Sequence, residues 1–376
     1  MSSIKVVLAG GGTAGHVNPL LATATLLRER GADVVVVGTR EGLEADLVPN
    51  AGFSFETIDR VPFPRRPNMN ALRFPRDFHR VRAQTGRICD DFQPDVLVGF
   101  GGYVSTPMYL EASKRSIPIV LHEQNAKPGL ANKLGARMAH TVALTFASTP
   151  LKAAKGTTIT VGLPLRPAIA ELAFLGADER AGRRLKAADN LGLNPEMPTL
   201  LVTGGSLGAQ HINEVLEACL EPIADADIQV LHLTGKGKDE PIRTALEKSS
   251  AGEHYHVREY LETMEDAYAL ADLVVCRSGA GTVAELAALG IPAVYVPLPI
   301  GNGEQELNAA DVVAAGGGIL VRNADFTAHV LVNEVLPLLG QPETLRTMGA
   351  AARSTSPTDA AERLADVIIG VAEENK

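Results

Sequence analysis

The chain has no tryptophan, and aromatic residues make up only 4% of its 376 positions. Alanine, valine and leucine must therefore build the core. Its three cysteines, Cys89, Cys219 and Cys276, lie far apart without metal-ligand spacing, which fits a reduced, cytoplasmic compartment. No uncharged apolar run reaches the roughly 18 residues of a membrane span. The start, MSSIKVVLAGGG, runs straight into a strand and lacks the basic stretch and cleavage site of a signal peptide. No GxSxG, HExxH or P-loop occurs. The net charge of −9 argues against nucleic acid as a partner of the whole protein.

What the chain does have is glycine, 36 residues in short clusters, and a hydrophobic content of 45%. The length suggests two domains. Apolar runs alternate with helical patterns throughout: Ile4–Ala9, Asp33–Val37, Phe53–Ile58, Asp95–Val98, Ile117–Leu121 and His140–Leu144 read as strands of a first half. A helix is expected from about Asn18 to Arg30, with Pro19 near its first turn and Gly31 after its end. The alternation restarts after Val161–Pro167 with strands at Thr199–Thr203, Gln229–Leu233, Leu273–Cys276, Ala293–Val296 and Gly318–Val321. The amphipathic tail Asp359–Val371 reads as a last helix. The fold class is α/β, with two Rossmann-like doubly wound parallel sheets.

The most informative stretch is 276–310: strand, glycine turn, helix to Leu289, stop at Gly290, strand, then a polar loop from Gly301 to Asn308. Such an edge offers free backbone N–H groups and a helix N-terminus to an anionic, hydroxyl-rich ligand. Glu285, early in that helix, suits the two hydroxyls of a ribose, or is a surface acid favoured by the helix dipole. Gly10, Gly12 and Gly15 match GxGxxG, yet the second strand ends Val37-Gly38-Thr39-Arg40 without the acid of a dinucleotide site. A phosphate or diphosphate there, an NAD(P) site using Arg40, and a bare turn all remain open. His16 closes this loop as a neutral proton acceptor beside a helix N-terminus, or as a capping residue. Gly99–Pro107 is a second anion-binding candidate, with Tyr103 either facing ligand or packing. His122-Glu123-Gln124-Asn125 ends a strand, as a hydroxyl-binding cluster or a solvated turn. Gly204–Gln210 can hold a diphosphate through Ser206, or Ser206 merely caps the helix that follows. Asp225-Ala226-Asp227 imitates a metal-binding DxD but reads as a turn. From Arg60 to Arg87, eight arginines stand against one acid, Asp77, among Phe63, Leu72, Phe74 and Phe78. That composition suits anionic lipid headgroups or a solvated helix face.

GGGTAGH, GFGGYVSTP, HEQN, VTGGSLGAQ and RSGAGTVAELAALGIPAVYVP together resemble the MurG family over essentially the whole chain. These are UDP-N-acetylglucosamine:N-acetylmuramyl-(pentapeptide)-pyrophosphoryl-undecaprenol N-acetylglucosaminyltransferases. The resemblance implies a GT-B fold, two Rossmann-like domains facing a cleft. The domains would span 1–163, with helix 357–376 packing back onto it, and 164–356. It implies no cofactor and no metal in the chemistry. UDP-GlcNAc would be held by Thr13, Ala14, Gly15, Asn125, Arg166, Ser206, Leu261, Glu285 and Gln305. Within that set Ser206 and Arg166 would meet the diphosphate, Glu285 the ribose, Leu261 the uracil, and Asn125 and Gln305 the sugar. Gly12, Gly101, Gly102, Tyr103 and Glu123 would line the acceptor side, with His16 as the candidate base. Arg73, Phe74, Arg76, Phe78 and Arg80 would rest on an anionic membrane. The implied partners are the undecaprenyl-linked acceptor, the cytoplasmic face of the membrane and other cell-wall enzymes, with no nucleic acid. Ala14 departs from the family's usual GGTGGH, and Glu304-Gln305 stands where paired glutamines are usual, so the sugar contact is carried on Gln305. The rival expectations are a UDP-GlcNAc 2-epimerase, a glycolipid glycosyltransferase, a silent nucleotide-sugar sensor and an NAD(P) oxidoreductase.

Overall fold

The computed structural model describes residues 3–64, 69–205, 208–300 and 303–375, and the side chains from position 72 onward after the first gap. The chain divides into two compact units, Met1–Pro167 with Asp359–Lys376, and Ala168–Thr358.

The first unit runs β1 (Lys5–Ala9), α1 (Ala14–Glu29), β2 (Asp33–Thr39), α2 (Glu44–Asn50), β3 (Ser54–Ile58), α3 (Met69–Phe92), β4 (Val96–Gly99), α4 (Gly102–Lys114), β5 (Ile119–Glu123), α5 (Leu130–Gly135), β6 (Thr141–Leu144) and β7 (Thr157–Thr160). Its seven strands are parallel in the order β3-β2-β1-β4-β5-β6-β7. Period-two alternation assigns the faces. Val6 and Leu8 join Leu20, Ala24 and Leu27 of α1, and with them Leu364 and Ile368 of the C-terminal helix Ala360–Glu374. Val7 and Ala9 pack on the opposite face with Val104, Met108 and Tyr109 of α4 and Val81 and Ile88 of α3. Each such valine, leucine, isoleucine or methionine side chain is worth about 1.5–3 kcal/mol when fully buried.

The second unit runs α6 (Pro167–Phe174), α7 (Ala177–Leu191), β8 (Thr199–Thr203), α8 (Gln210–Glu217), α9 (Leu220–Ala224), β9 (Gln229–Leu233), α10 (Glu240–Leu246), β10 (Tyr255–Arg258), α11 (Met264–Leu270), β11 (Leu273–Cys276), α12 (Ala280–Leu289), β12 (Ala293–Tyr295), α13 (Glu304–Asn308) and, further on, β13 (Gly318–Leu320). Its six parallel strands are ordered β10-β9-β8-β11-β12-β13. Gly290 ends α12 in the left-handed conformation, φ 70°, as the expected stop requires.

Both orders reverse direction once, between β1 and β4 and between β8 and β11. Parallel α/β sheets bind ligands outside the carboxyl ends of strands at such a switch. The register places Ala9 opposite Gly99 and Thr203 opposite Cys276, so the loops on either side of each switch start level with one another. These are the four glycine loops singled out in the sequence.

Some expectations are corrected. Helix α1 begins at Ala14, not near Asn18, because the Thr13 carbonyl already accepts from His16 N and Val17 N. Of the expected Gly301–Asn308 loop, Glu304–Asn308 form helix α13, and Gly301 and Asn302 lie outside the described residues. Strands β7 and β10 escaped notice: β7 is a polar edge strand, TTIT, and β10, YHVR, is short and broken by polar residues. Asp225 to Asp227 does form a turn, with Asp227 at φ 48°.

Candidate functional site

In the first unit three segments converge at the switch. The first is the loop 10–16. Gly12 has φ 86°, where a side chain would be strained. Ala14 is the first helical residue, so its methyl sits in ordinary right-handed backbone and Ala14 replaces glycine at no conformational cost. Thr13, Ala14 and Gly15 are exposed around the helix start.

His16 is half-buried in the first turn of α1. Its Nδ1 lies 3.1 Å from the Gly11 carbonyl oxygen and 3.1 Å from Thr13 Oγ1. A carbonyl can only accept, so Nδ1 must carry the proton. The neutral ring then keeps its lone pair on Nε2. Burial lowers the His16 pKa, partly offset by the Gly11 bond and by the nearby charges of Glu123 and Glu44. The ring is therefore neutral at pH 7, with an acceptor at Nε2.

The second segment is the turn after β4. Gly101 and Gly102 have φ 93° and 82°. A Cβ on Gly101 would stand 3.3 Å from His16 Nε2, and one on Gly102 would stand 2.8 Å from the Gly11 oxygen. Glycine is what lets this turn approach the histidine loop. Ser105 pins it, accepting from Gly101 N at 3.0 Å and donating to the Ala9 carbonyl at 2.9 Å. Tyr103, in the first turn of α4, is 43% exposed, with the Arg60 guanidinium 5.7 Å from its ring centre. It is thus an exposed aromatic and not a packing residue.

The third segment differs from the expected polar turn. His122 and Glu123 lie inside β5, and with Gln124 they are buried. His122 Nε2 donates to the Gly162 carbonyl at 2.9 Å and its Nδ1 accepts from Gln124 Nε2 at 3.0 Å. Glu123 accepts from Asn125 N, Gly129 N and Asn132 Nδ2, each at 3.0 Å. His122 and Glu123 thus shape the loop from beneath, and Asn125, half-buried, is what the loop presents. Asn132 was missed by sequence reasoning. It also accepts from Tyr109 OH at 2.9 Å and donates to the His122 carbonyl, tying α5 to β5 and α4.

In the second unit the loop after β8 is tight. Gly205 and Gly208 have φ 77° and 67°, and a Cβ on Gly204 would overlap Gly208 and Ala209. Ser206 lies outside the described residues. Helix α8 takes Ala209 as its N-cap. After β11, the half-buried Arg277 donates through Nη1 to the carbonyls of Val296 and Pro297 and to Asn323 Oδ1, at 2.9, 3.0 and 2.7 Å. Burial lowers its pKa. Ser278 is buried, and its hydroxyl has no hydrogen-bond partner among the described residues. Glu285 is half-buried in the second turn of α12, where Tyr268 OH donates to its Oε2 at 3.0 Å. Gln305 accepts from Leu298 N at 3.0 Å. Leu261 is half-buried between β10 and α11. Arg166 is half-buried two residues before the division between the units.

A hollow of about 360 Å³ lies at the other end of this sheet, lined by Arg184, Asp272, Pro198, Pro292 and Leu345. Arg184 is engaged there by Asp272 at 3.0 Å and by the Leu270 carbonyl at 2.7 Å. Its cation is already engaged by the fold.

The basic segment is partly neutralised. Arg80 pairs with Asp59 at 2.8 Å and Arg82 with Glu111 at 2.6 Å. Arg73 and Arg76 are exposed beside a ring cluster in which Phe74 stacks on Phe78 at 5.2 Å and meets Phe63 edge-on at 5.4 Å. Phe63 and Leu72 are 66% and 76% exposed. Among the described residues no helix is long and apolar enough to cross a membrane.

The sequence matches the glycosyltransferase family 28 N-terminal domain over residues 6–144 and the glycosyltransferase family 28 C-terminal domain over 199–364. It is 50% identical to the UDP-N-acetylglucosamine–N-acetylmuramyl-(pentapeptide) pyrophosphoryl-undecaprenol N-acetylglucosamine transferase of Bifidobacterium adolescentis, covering 99% of this chain and 98% of that protein. The fold is similar to the crystal structure of Acinetobacter baumannii MurG, with a TM-score of 0.76 at 27% identity over 98% of this chain and 99% of that one. It is also similar, in fold alone, to a UDP-GlcNAc 2-epimerase from Neisseria meningitidis, with a TM-score of 0.69 at 14% identity over 98% and 100% of the two chains.

Proposed function

The chain belongs to glycosyltransferase family 28 and, within it, to the UDP-N-acetylglucosamine–N-acetylmuramyl-(pentapeptide) pyrophosphoryl-undecaprenol N-acetylglucosamine transferases; on that premise we propose that it moves GlcNAc from UDP-GlcNAc to the C4 hydroxyl of lipid-linked MurNAc-pentapeptide, turning lipid I into lipid II. The reaction is inverting. The C4 oxygen bonds to the anomeric carbon as the bond to the diphosphate oxygen breaks, and UDP leaves with that electron pair. The hydroxyl proton passes to His16 Nε2. The observation that carries this chemistry is the tautomer of His16: the Gly11 carbonyl requires the proton on Nδ1, which leaves Nε2 as a base at neutral pH.

Charge builds on the departing diphosphate. Arg166 and the helix start after Ser278 supply positive potential in this reading, with the Ser206 hydroxyl as a further donor. Glu285 accepts from the ribose hydroxyls, Leu261 lies against the uracil, and Asn125 and Gln305 hold the sugar. Gly12, Gly101, Gly102 and Tyr103 border the acceptor, with Glu123 supporting from below. The Arg73–Phe78 face of α3 meets anionic lipid and brings the enzyme to its membrane-borne substrate. The donor needs no cofactor.

The test is to incubate the protein with UDP-GlcNAc and a short-chain lipid I analogue, and follow UDP release and lipid II formation. Product with inverted β linkage is expected. Epimerised UDP-ManNAc without acceptor would replace this reading with the epimerase one.

A further inference from the structure

Glu44 is a buried carboxylate that the proposed chemistry does not use. It starts α2, on the far side of the glycine loop from His16. Its Oε2 accepts from Gly12 N at 2.8 Å. Its Oε1 accepts from Thr39 N at 3.0 Å and Thr39 Oγ1 at 2.8 Å. Room for it is made by glycine: a Cβ on Gly11 or Gly42 would overlap the carboxylate, and one on Gly38 would overlap the Glu44 stem.

Gly11 C=O and Gly12 N–H belong to one peptide group. Its N–H is bound by Glu44, and its oxygen is bound by His16 Nδ1 at 3.1 Å. A carboxylate on the N–H draws amide electron density toward the oxygen, and hydrogen bonds in such a chain reinforce one another. We propose that Glu44 is a positioning residue that acts on His16 through the Gly11–Gly12 peptide, fixing the Nδ1–H tautomer and making Nε2 the stronger base. No proton leaves Nδ1; the peptide stays neutral and Glu44 stays ionised. The inference rests on the reading of His16 as the base.

The electrostatics agree. Burial works against the Glu44 charge, but the bonds from Gly12 and Thr39 outweigh it and hold the carboxyl below its usual range. The charged groups facing His16 are Glu123 and Glu44, and both raise a pKa that burial lowers. Glu123 is bound to Asn125, Gly129 and Asn132, so of these two carboxylates it is Glu44 that reaches the histidine through a single peptide.

The experiment uses ¹⁵N-histidine spectra of the full chain, with His16 assigned by its loss in His16→Ala. In the wild type, Nδ1 protonated and Nε2 bare are expected; a protonated Nε2 overturns the proposal without any variant. In Glu44→Gln the His16 titration should move down by about one pH unit. The acidic limb of kcat should move with it, and kcat should fall about tenfold while KM for UDP-GlcNAc stays within about twofold. Ile368→Ala, which loosens the core of the same unit without touching the Glu44 hydrogen bonds, is the stability control and should leave the titration in place. If Glu44→Gln lowers stability as that control does and leaves the His16 titration unmoved, Glu44 is structural only. If His16→Ala turns over like the wild type, the base reading falls, while the tautomer and titration still decide the coupling.

Discussion

Tyr268 OH donates to Glu285 Oε2 across 3.0 Å, from a phenol that is only 4% exposed. The tyrosine on α11 sets the carboxylate on α12 that is proposed to receive the ribose. Removing one hydrogen bond of this kind costs about 1 kcal/mol, close to a fivefold change. Tyr268→Phe should therefore raise KM for UDP-GlcNAc about fivefold with kcat nearly unchanged. Steady-state kinetics at saturating acceptor decides it; an unchanged KM would remove Tyr268 from donor binding.

His16→Ala should lower kcat by about 10²–10⁴-fold, the range of a lost general base. The wild-type rate should rise with pH as the imidazole loses its proton. Since burial lowers that pKa, the limb should lie below the usual value of about 6.5. Unchanged turnover would exclude the role.

Two other histidines make stability depend on pH. Burial takes His122 to about 4 and His232 to about 3, and both are fully buried. The neutral His232 ring bonds Tyr255 OH at 2.8 Å and Asn213 Oδ1 at 3.0 Å. A depressed histidine contributes its stability in full above about pH 6.5. That contribution is lost as pH falls, because the unfolded chain takes up protons first. At pH 5 each site should cost about 2 kcal/mol relative to pH 7. Guanidinium titrations at the two pH values measure this, and equal midpoints would contradict it.

On the lipid-facing proposal, Arg73 and Arg76 are exposed charges that flank Phe74, whereas Arg80, also exposed, is paired with Asp59. At about 1 kcal/mol per charge, Arg73→Gln with Arg76→Gln should weaken partition onto anionic vesicles about 30-fold. Arg80→Gln should do less. Vesicle sedimentation tests the ranking, which fails if Arg80→Gln has the larger effect.

In the first unit's core, Ile368→Ala should destabilise by about 2–5 kcal/mol, since Ile368 is fully buried against α1. Thermal unfolding followed by proteolysis should show the first unit failing before the second.

Strands flanked by glycine clusters were readable from the sequence. Leu273–Cys276 and Thr199–Thr203 are bounded as expected, because buried parallel strands are continuous apolar runs ended by turn residues. The glycine loops were readable for the same reason, and the fold places them at its two switch points. Residues whose work is done across space were not readable. Glu44 looks like an ordinary acid at a helix start until Gly12 and Thr39 fold onto it. Tyr268 and Asn132 sit in helices with no local mark of their partners. His122 and Glu123 looked like exposed polar residues because their burial comes from Gly162, Gly129 and Asn132, none of them neighbours in sequence.

The C-terminal helix also sets an order of assembly. Leu364 and Ile368 cover Leu20 and Leu27, yet they follow the whole second unit in the chain. On a ribosome adding about 5–20 residues per second, the α1 face waits on the order of tens of seconds for its cover. The second unit has all of its own sequence in that interval and can close its core first. The half that is made first is the half that is finished last.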